Sequence, residues 1–183
     1  MQFFTPELYV RFNSPDDEVA DAAYQEWEQA TEQYARHLET FRARASSQIQ
    51  KLTELSLHDA FIVSRAEQIQ AGGPHFFRDF PYPLPVAIWS ALAIVTVKDG
   101  DTIRSLIYCL WDHVRTHHHA DGWRFSTECE HWLYDEVESV HPDRGGSYLH
   151  RILLSSGVEL EIPFTALFIH EFALTKVGEA VAK

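Results

Sequence analysis

The stretch Leu57-His58-Asp59-Ala60-Phe61-Ile62-Val63-Ser64-Arg65 marks a change in the pattern of this sequence. Its centre combines aromatic and β-branched side chains, which favour a β-strand. The sequence before this stretch has the three- and four-residue periodicity of helices, and the sequence after it alternates as strands do. The chain is therefore predicted to change here from helix to antiparallel sheet, which is typical of an α+β fold.

Two helices are predicted ahead of that change. Thr5-Pro6-Glu7 supplies an N-cap acceptor, a proline at the first helical position and an acid in the first turn. A second helical pattern follows Ser14-Pro15 and continues to about residue 55. A straight helix of that length would span about 57 Å at about 1.5 Å per residue. We therefore expect a bend near Ser46-Ser47 that lays the helix across the sheet. The alternative is a homodimer formed through this helix.

Seven downstream segments have strand character, with turns rich in glycine, proline and aspartate between most of them. They are residues 56–69, 86–97, 102–114, 132–140, 148–154, 158–162 and 165–174. Pro163 is expected to separate the last two. The whole chain, residues 1–183, is predicted to form a single domain. Its helical arm, residues 1–55, packs on residues 56–175, a six- or seven-stranded, mainly antiparallel sheet or partly closed barrel.

The net charge of the 183-residue chain is −12 at pH 7. This argues against nucleic acid as a direct partner, because binding to phosphates requires clustered Lys and Arg. It favours basic partners instead. No segment approaches the roughly 18 consecutive apolar residues of a membrane span, and the first residues lack the pattern of a signal peptide. Two cysteines are too few for a disulfide framework. The sequence thus predicts a cytoplasmic protein with no direct nucleic-acid or membrane partner.

Acidic residues are concentrated in residues 128–171, which hold nine acids against two Arg. Alternation places Glu159 and Glu161 on the wet face of a strand, and Glu136 and Glu138 on the face of Trp132. We therefore predict an acidic, aromatic sheet face that binds a basic protein partner. The predicted binding residues are Trp132, Tyr134, Asp135, Glu136, Glu138, Glu159 and Glu161. A plain solvated face is the alternative.

A run of three histidines suggests a metal site. In an extended chain, alternate residues of this region share one face, and imidazole and carboxylate at that spacing could ligate zinc or another divalent metal. The predicted ligands are His113, His117, His119 and Asp121. A metal-dependent hydrolase is therefore the alternative function, with His131, His141 and His150 available as further ligands. A solvated hairpin loop is the default interpretation, and no other cofactor is predicted.

His58-Asp59 is the remaining chemically suggestive pair. Adjacent residues of a strand point to opposite faces, so the two are not expected to act on each other. Asp59 is interpreted as a cap that binds backbone groups at the turn into the first strand. Cys109 lies in an apolar strand and is interpreted as a core thiol rather than a nucleophile.

Several short motifs resemble a family of uncharacterised bacterial proteins, a domain of unknown function. They are Phe4-Thr5-x-Glu7-Leu8-Tyr9, Leu57-His58-Asp59-Ala60, Trp132-Leu133-Tyr134-Asp135-Glu136-Val137 and the hairpin strand Ser156-Gly157-Val158-Glu159-Leu160-Glu161-Ile162. The resemblance implies a compact helix-plus-sheet fold in a bacterium or phage, and it implies no activity. A looser resemblance of fold links the chain to immunity proteins of bacterial toxin systems. The leading expectation is therefore a cytoplasmic protein-binding module.

Overall fold

The structure, a computed structural model, describes residues 1–69, 91–118, 123–141 and 146–174. Within these ranges it contains three α-helices, a 3₁₀ turn and seven strands, which confirms the predicted α+β class. The helices are α1 (Pro6–Phe12), α2 (Asp17–Glu39) and α3 (Ser47–Leu52), and the 3₁₀ turn is Arg42–Arg44. The strands are β1 (Phe61–Ile69), β2 (Ala91–Asp99), β3 (Thr102–Leu110), β4 (Arg115–His118), β5 (Trp132–Ser139), β6 (Tyr148–Leu154) and β7 (Val158–Ala173). Of the predicted strand 86–97, residues 86–90 lie outside the described ranges.

The helices α1 and α2 form an antiparallel pair, and a side chain caps the start of each one; the cap at Thr5 is the one that the sequence predicts. Thr5 Oγ1 accepts the backbone N–H of Leu8 at 3.2 Å, and Asp16 Oδ1 accepts that of Glu18 at 3.0 Å. Each cap satisfies a donor that the first helical turn leaves open. The pair buries Leu8 and Ala23 in a small apolar cluster of its own. None of the helices in the described ranges has the length and apolar composition needed to cross a bilayer.

The second predicted helix does break, and it breaks earlier than Ser46-Ser47. Helix α2 ends at Glu39, where the Thr40 hydroxyl donates to the His37 carbonyl oxygen at 2.7 Å. The chain then makes the 3₁₀ turn, and Ser46 Oγ caps α3 by accepting the N–H of Ile49 at 3.4 Å. Ser46 is therefore the start of a new helix rather than the centre of a bend. Pairing with a second copy stays a prediction.

The strands form one antiparallel sheet in the order β1-β2-β3-β7-β6-β5, with β4 also paired to β7. The expectation that Pro163 ends a strand is wrong, because β7 continues through it. Pro163 lies where the ladder on one side of β7 is interrupted, between the pairs Leu110↔Phe164 and Arg115↔Glu161. A residue without an N–H is tolerated at such a gap. The single long strand β7 therefore joins β3 and β4 on one side to β6 on the other.

The sheet curls until its two ends meet at one corner. The N–H of Asp59 donates to the Trp132 carbonyl at 2.8 Å, the N–H of Trp132 to Ala60 at 2.9 Å, and the N–H of Ile62 to Glu130 at 2.8 Å. These bonds connect the start of β1 to the start of β5, so the sheet is a partly closed barrel. We call the face inside the curl the inner face, and the opposite one the outer face.

The inner face forms the main apolar core. It includes Val95, Leu106, Ile152 and Leu160, all less than a tenth exposed. Helix α3 contributes to the same core through Ile49 and Leu52 and packs against β7. The α1–α2 pair instead contacts the outer face at β5, through Tyr134. The helices therefore occupy two different sides of the sheet.

Candidate functional site

Glu136 of β5 is buried and binds the N-terminal segment of the chain. Its side chain, in a residue 2% exposed, accepts the backbone N–H groups of Gln2, Phe3 and Phe4, each at 2.7 Å. Hydrogen bonds to an ionised acceptor are the strong class, and three of them offset much of the cost of burying a carboxylate. Glu136 thus holds the N-terminal segment against the outer face.

The other outer-face acids also have partners inside the chain. Glu159, 5% exposed, lies 2.6 Å from the amino nitrogen of Met1. Arg151 bridges Glu138 at 2.9 Å and Glu161 at 3.2 Å. Arg115 of β4 adds a second cation to Glu161 at 2.8 Å. These ion pairs within the chain neutralise the acids of the outer face and link β4, β6 and β7.

The prediction of an exposed acidic sheet face is therefore wrong for Trp132, Glu136 and Glu159, and binding of a basic partner at the other predicted residues stays a prediction. Trp132 is fully buried, and Glu136 and Glu159 are buried as well. Tyr134 packs under the helices, with its ring centroid 4.3 Å from that of Trp27, and burial raises its pKa to about 12. The prediction that Trp132 shares a face with Glu136 is also wrong, because an irregular register between Trp132 and Tyr134 puts Trp132 on the inner face. Simple alternation shows neither such an irregularity nor which distant segment covers a face.

Asp135 faces inward and belongs to a network of polar side chains in the core. Its carboxylate accepts the indole N–H of Trp132 at 2.9 Å and lies 3.0 Å from His150 Nε2. The other ring nitrogen of His150, which is completely buried, lies 2.9 Å from the hydroxyl of Tyr108. Because a carboxylate only accepts, a neutral His150 must carry its proton on Nε2 and accept from Tyr108.

This network, which we call the buried relay, has every member satisfied. Burial, followed by the nearby charge of Asp135, holds the pKa of Tyr108 well above its ordinary value, so Tyr108 is a neutral donor. A fully paired polar network fixes side-chain geometry in a low-dielectric interior. The arrangement resembles the carboxylate–imidazole–hydroxyl order of nucleophilic sites. Its hydroxyl, however, is a buried phenol, so the network is interpreted as structural.

A groove of about 360 Å³ opens on the inner face at the end away from α3. We define the groove by its apolar floor and its polar rim. The floor is formed by Ala93, Ile94, Val95, Val114, Val158, Leu160 and Ile162. The rim is formed by Arg65, Ala66 and Glu67 of β1 and by Thr116 and His118 of β4. An apolar concavity with a few polar groups at its edge, in the mouth of a barrel, is a common form of small-molecule site.

Two rim contacts shape the groove. Glu67 Oε1 accepts the backbone N–H of Val114 at 3.0 Å, which ties β1 to the segment before β4. Arg65 lies 3.3 Å from Glu130, which also accepts the hydroxyl of Ser156 at 2.6 Å. The two edges of the groove are therefore held by polar contacts, while its floor remains apolar.

The groove lies directly beside the buried relay. Ala93 of its floor is the cross-strand partner of Tyr108, and Ile162 is the partner of His150. Cross-strand partners lie about 5 Å apart at their Cβ atoms. A ligand on this floor would therefore be one side chain away from the relay.

The predicted metal ligands are only partly described, since His119 and Asp121 lie outside the described ranges. His113 contacts the neighbouring Asp112 at 2.8 Å, and His117 lies on the outer face, in register with Glu159. Hydrogen bonding from His113, first through its backbone N–H, lowers the pKa of Asp112. No group of three metal-binding side chains comes together within the described ranges. The metal site stays a prediction.

The sequence did not indicate the rim residues as a group. The histidine run was interpreted through the odd-numbered positions of β4, whereas the even-numbered Thr116 and His118 face the groove. The alternation itself was visible, but choosing the inner phase required the pairing of β4 with β7. Arg65 and Glu67 carry no motif, and only the curl of the sheet brings them opposite β4.

His58 and Asp59 contact each other, contrary to the expectation from strand alternation. Residues 57–60 form a turn, and β1 begins only at Phe61. His58 Nε2 lies 3.5 Å from Asp59 Oδ2, and His58 Nδ1 lies 2.7 Å from the Leu133 carbonyl oxygen. Asp59 makes no side-chain bond to a backbone group in the described part of the chain, so its interpretation as a cap is wrong.

Comparisons with known proteins do not assign this chain. No protein-family model matches it, and neither does any curated protein. The resemblance to a bacterial domain of unknown function and to immunity proteins stays a prediction.

Proposed function

We propose that this protein is a binding protein that holds a small, largely apolar ligand in the groove. The observation that carries the proposal is the groove itself: about 360 Å³ of concave space above an apolar floor on the inner face. That volume lies in the lower part of the range of small-molecule sites. Burying apolar ligand surface on the floor supplies the driving force, at about 25 cal/mol per Å² before the costs of association.

The proposal can be tested by filling the groove from its rim. Thr116 and His117 are adjacent, exposed residues of β4 that face opposite sides of the sheet. Thr116→Trp should block binding of the neutral fluorophore N-phenyl-1-naphthylamine, and His117→Trp should leave it intact. Fluorescence titration of both variants and the parent measures this. Equal binding by both variants, or no binding by the parent, would contradict the proposal.

A second candidate function is binding of a basic protein, which the negative charge of the chain suggests. We place this interaction on α2 instead of the sheet face. Helix α2 carries five exposed acids at spacings of four and seven, opposite its buried Ala23 and Ala30. They are Asp17, Asp21, Glu28, Glu32 and Glu39. Such a stripe would attract a basic partner in a salt-dependent way.

This candidate is tested by reversing charge on the stripe. A partner recovered at low salt should be lost with Asp21→Lys and Glu28→Lys together. It should be retained with Asp101→Lys, a control at an exposed turn between β2 and β3. Binding that survives the double reversal would rule out α2 as the docking surface. A cytoplasmic location belongs to the same proposal, and the two free cysteines support it.

A further inference from the structure

The rim of the groove carries one carboxylate that no cation neutralises among the described residues. Arg65 and Glu130 form an ion pair, so their opposite charges neutralise each other. Glu67 is different, because its hydrogen-bond partner among the described residues is the neutral backbone N–H of Val114. One of its oxygens thus remains able to accept further hydrogen bonds at the mouth of the groove.

The opposite rim adds acceptors rather than a fixed charge. Thr116 offers a hydroxyl oxygen, and His118 offers a ring nitrogen when it is neutral. The net charge of the chain, −12, also raises the local concentration of cations at its surface. Both the rim and the whole molecule are therefore complementary to a positive group.

The floor determines what must accompany that positive group. Ala93, Val95, Val158, Leu160 and Ile162 are all buried, apolar residues. They offer no hydrogen bonds from their side chains, so the part of a ligand that covers them must be hydrocarbon.

We infer that the groove takes a small apolar amine, with its ammonium group at Glu67 and its hydrocarbon body on the Val95–Leu160 floor. This inference rests on the proposed ligand-binding function and adds the chemical class of the ligand. The ammonium donates up to three hydrogen bonds to Glu67 and its neighbours, while the hydrocarbon part of the ligand displaces water from the floor.

The experiment compares three probes of equal length: hexylamine, hexan-1-ol and hexanoate. Calorimetric titration at low ionic strength should give hexylamine an affinity about fivefold higher than that of hexan-1-ol, because the ion pair is exposed. Glu67→Gln should abolish this preference. The amide oxygen can still accept the Val114 N–H, so this variant removes the charge and keeps the hydrogen bond. Asp101→Asn is the matched control, because it removes one carboxylate at the exposed turn between β2 and β3, outside the groove, and it should keep the preference.

The outcomes distinguish failure of the amine class from failure of ligand binding itself. If all three probes bind without preference for the amine, or if hexanoate binds best, the amine class is overturned and ligand binding stands. If none binds, the proposed function itself is overturned. If Glu67→Gln does not fold, the inference is tested instead by measuring the amine preference of the parent protein at increasing salt concentrations. A preference for the amine that falls with added salt supports the inference, and one that is independent of salt overturns it.

Discussion

Asp59 adopts a left-handed backbone conformation in the turn before β1, with φ of 63°. This region is costly for residues with a Cβ atom and readily adopted by glycine, with aspartate among the better-tolerated exceptions. The N–H of Asp59 donates to Trp132 at the corner where the barrel closes. The residue matters through its backbone, because the closing bonds depend on this conformation.

Substitutions at Asp59 should therefore follow backbone preference. Asp59→Gly should be at least as stable as the parent, and Asp59→Ala should be less stable than the glycine variant by about 1 kcal/mol. Both variants lose the contact with His58, so their difference reports the backbone. Urea unfolding at neutral pH measures it. An alanine variant as stable as the glycine variant would contradict this account of the turn.

Cys109 shows what residue type and strand pattern can predict. It is 1% exposed, and burial raises the pKa of its thiol to about 11, as expected of a core cysteine. Glu136 shows the reverse, because an acid in an alternating strand is indistinguishable from a solvated one until its partner is known. That partner, the backbone at Gln2 to Phe4, is more than 130 residues away in sequence.

At the scale of elements, the N-terminal segment and β5 act as one unit through Glu136. Glu136→Gln should lower the free energy of unfolding by about 2 kcal/mol. The amide keeps one acceptor oxygen but turns an NH₂ group toward backbone donors. Glu138→Gln, which breaks a partly exposed pair with Arg151, should cost less than about 1 kcal/mol. Thermal or urea unfolding compares them, and equal losses would contradict the role given to Glu136.

Arg104 and Lys51 link the end of β7 to the β2–β3 hairpin and to α3. Arg104 contacts Asp99 at 2.6 Å and Glu171 at 3.0 Å, and Lys51 contacts Glu171 at 3.2 Å. Hydrogen bonds from Arg104 and then Lys51 lower the pKa of Glu171 below its ordinary value of 4.5. The unfolded chain therefore binds this proton more readily than the folded one, so the contribution is present at neutral pH and is lost in acid.

Glu171→Gln should accordingly be less stable than the parent at pH 7, and the difference should shrink as the pH falls through the lowered pKa of Glu171. The effect is small because the pair is exposed. Urea unfolding of both proteins across the acid range measures the difference. A gap that stays constant from neutral to acid pH would show that these contacts do not depend on the charge of Glu171.

For the molecule as a whole, local patterns predicted the class of fold, and long-range pairing decided the candidate site. The cap at Thr5 and the exact span of β6 could be predicted from neighbouring residues. The continuity of β7 through Pro163 could not, because it depends on where β3 gives way to β4. The groove depends on the same pairing, together with the closure between residues 59–62 and 130–132.

The resulting molecule uses its two sheet faces differently. The outer face around Glu136 and Glu159 is covered by the chain itself, whereas the inner face is filled by α3 at one end and forms the groove at the other. Binding is therefore expected inside the curl of the sheet. The acid-rich strands that stand out in the sequence serve to assemble the fold.

Whether the groove is the binding site can be tested by ¹H–¹⁵N spectra recorded during titration with the neutral probe hexan-1-ol. If the groove binds the probe, the shifted amide signals should cluster around it. They should come from residues 65–67, 93–95, 114–118 and 158–162. Shifts centred on α2 or on the outer face of β5, or no saturable shifts at all, would contradict binding in the groove.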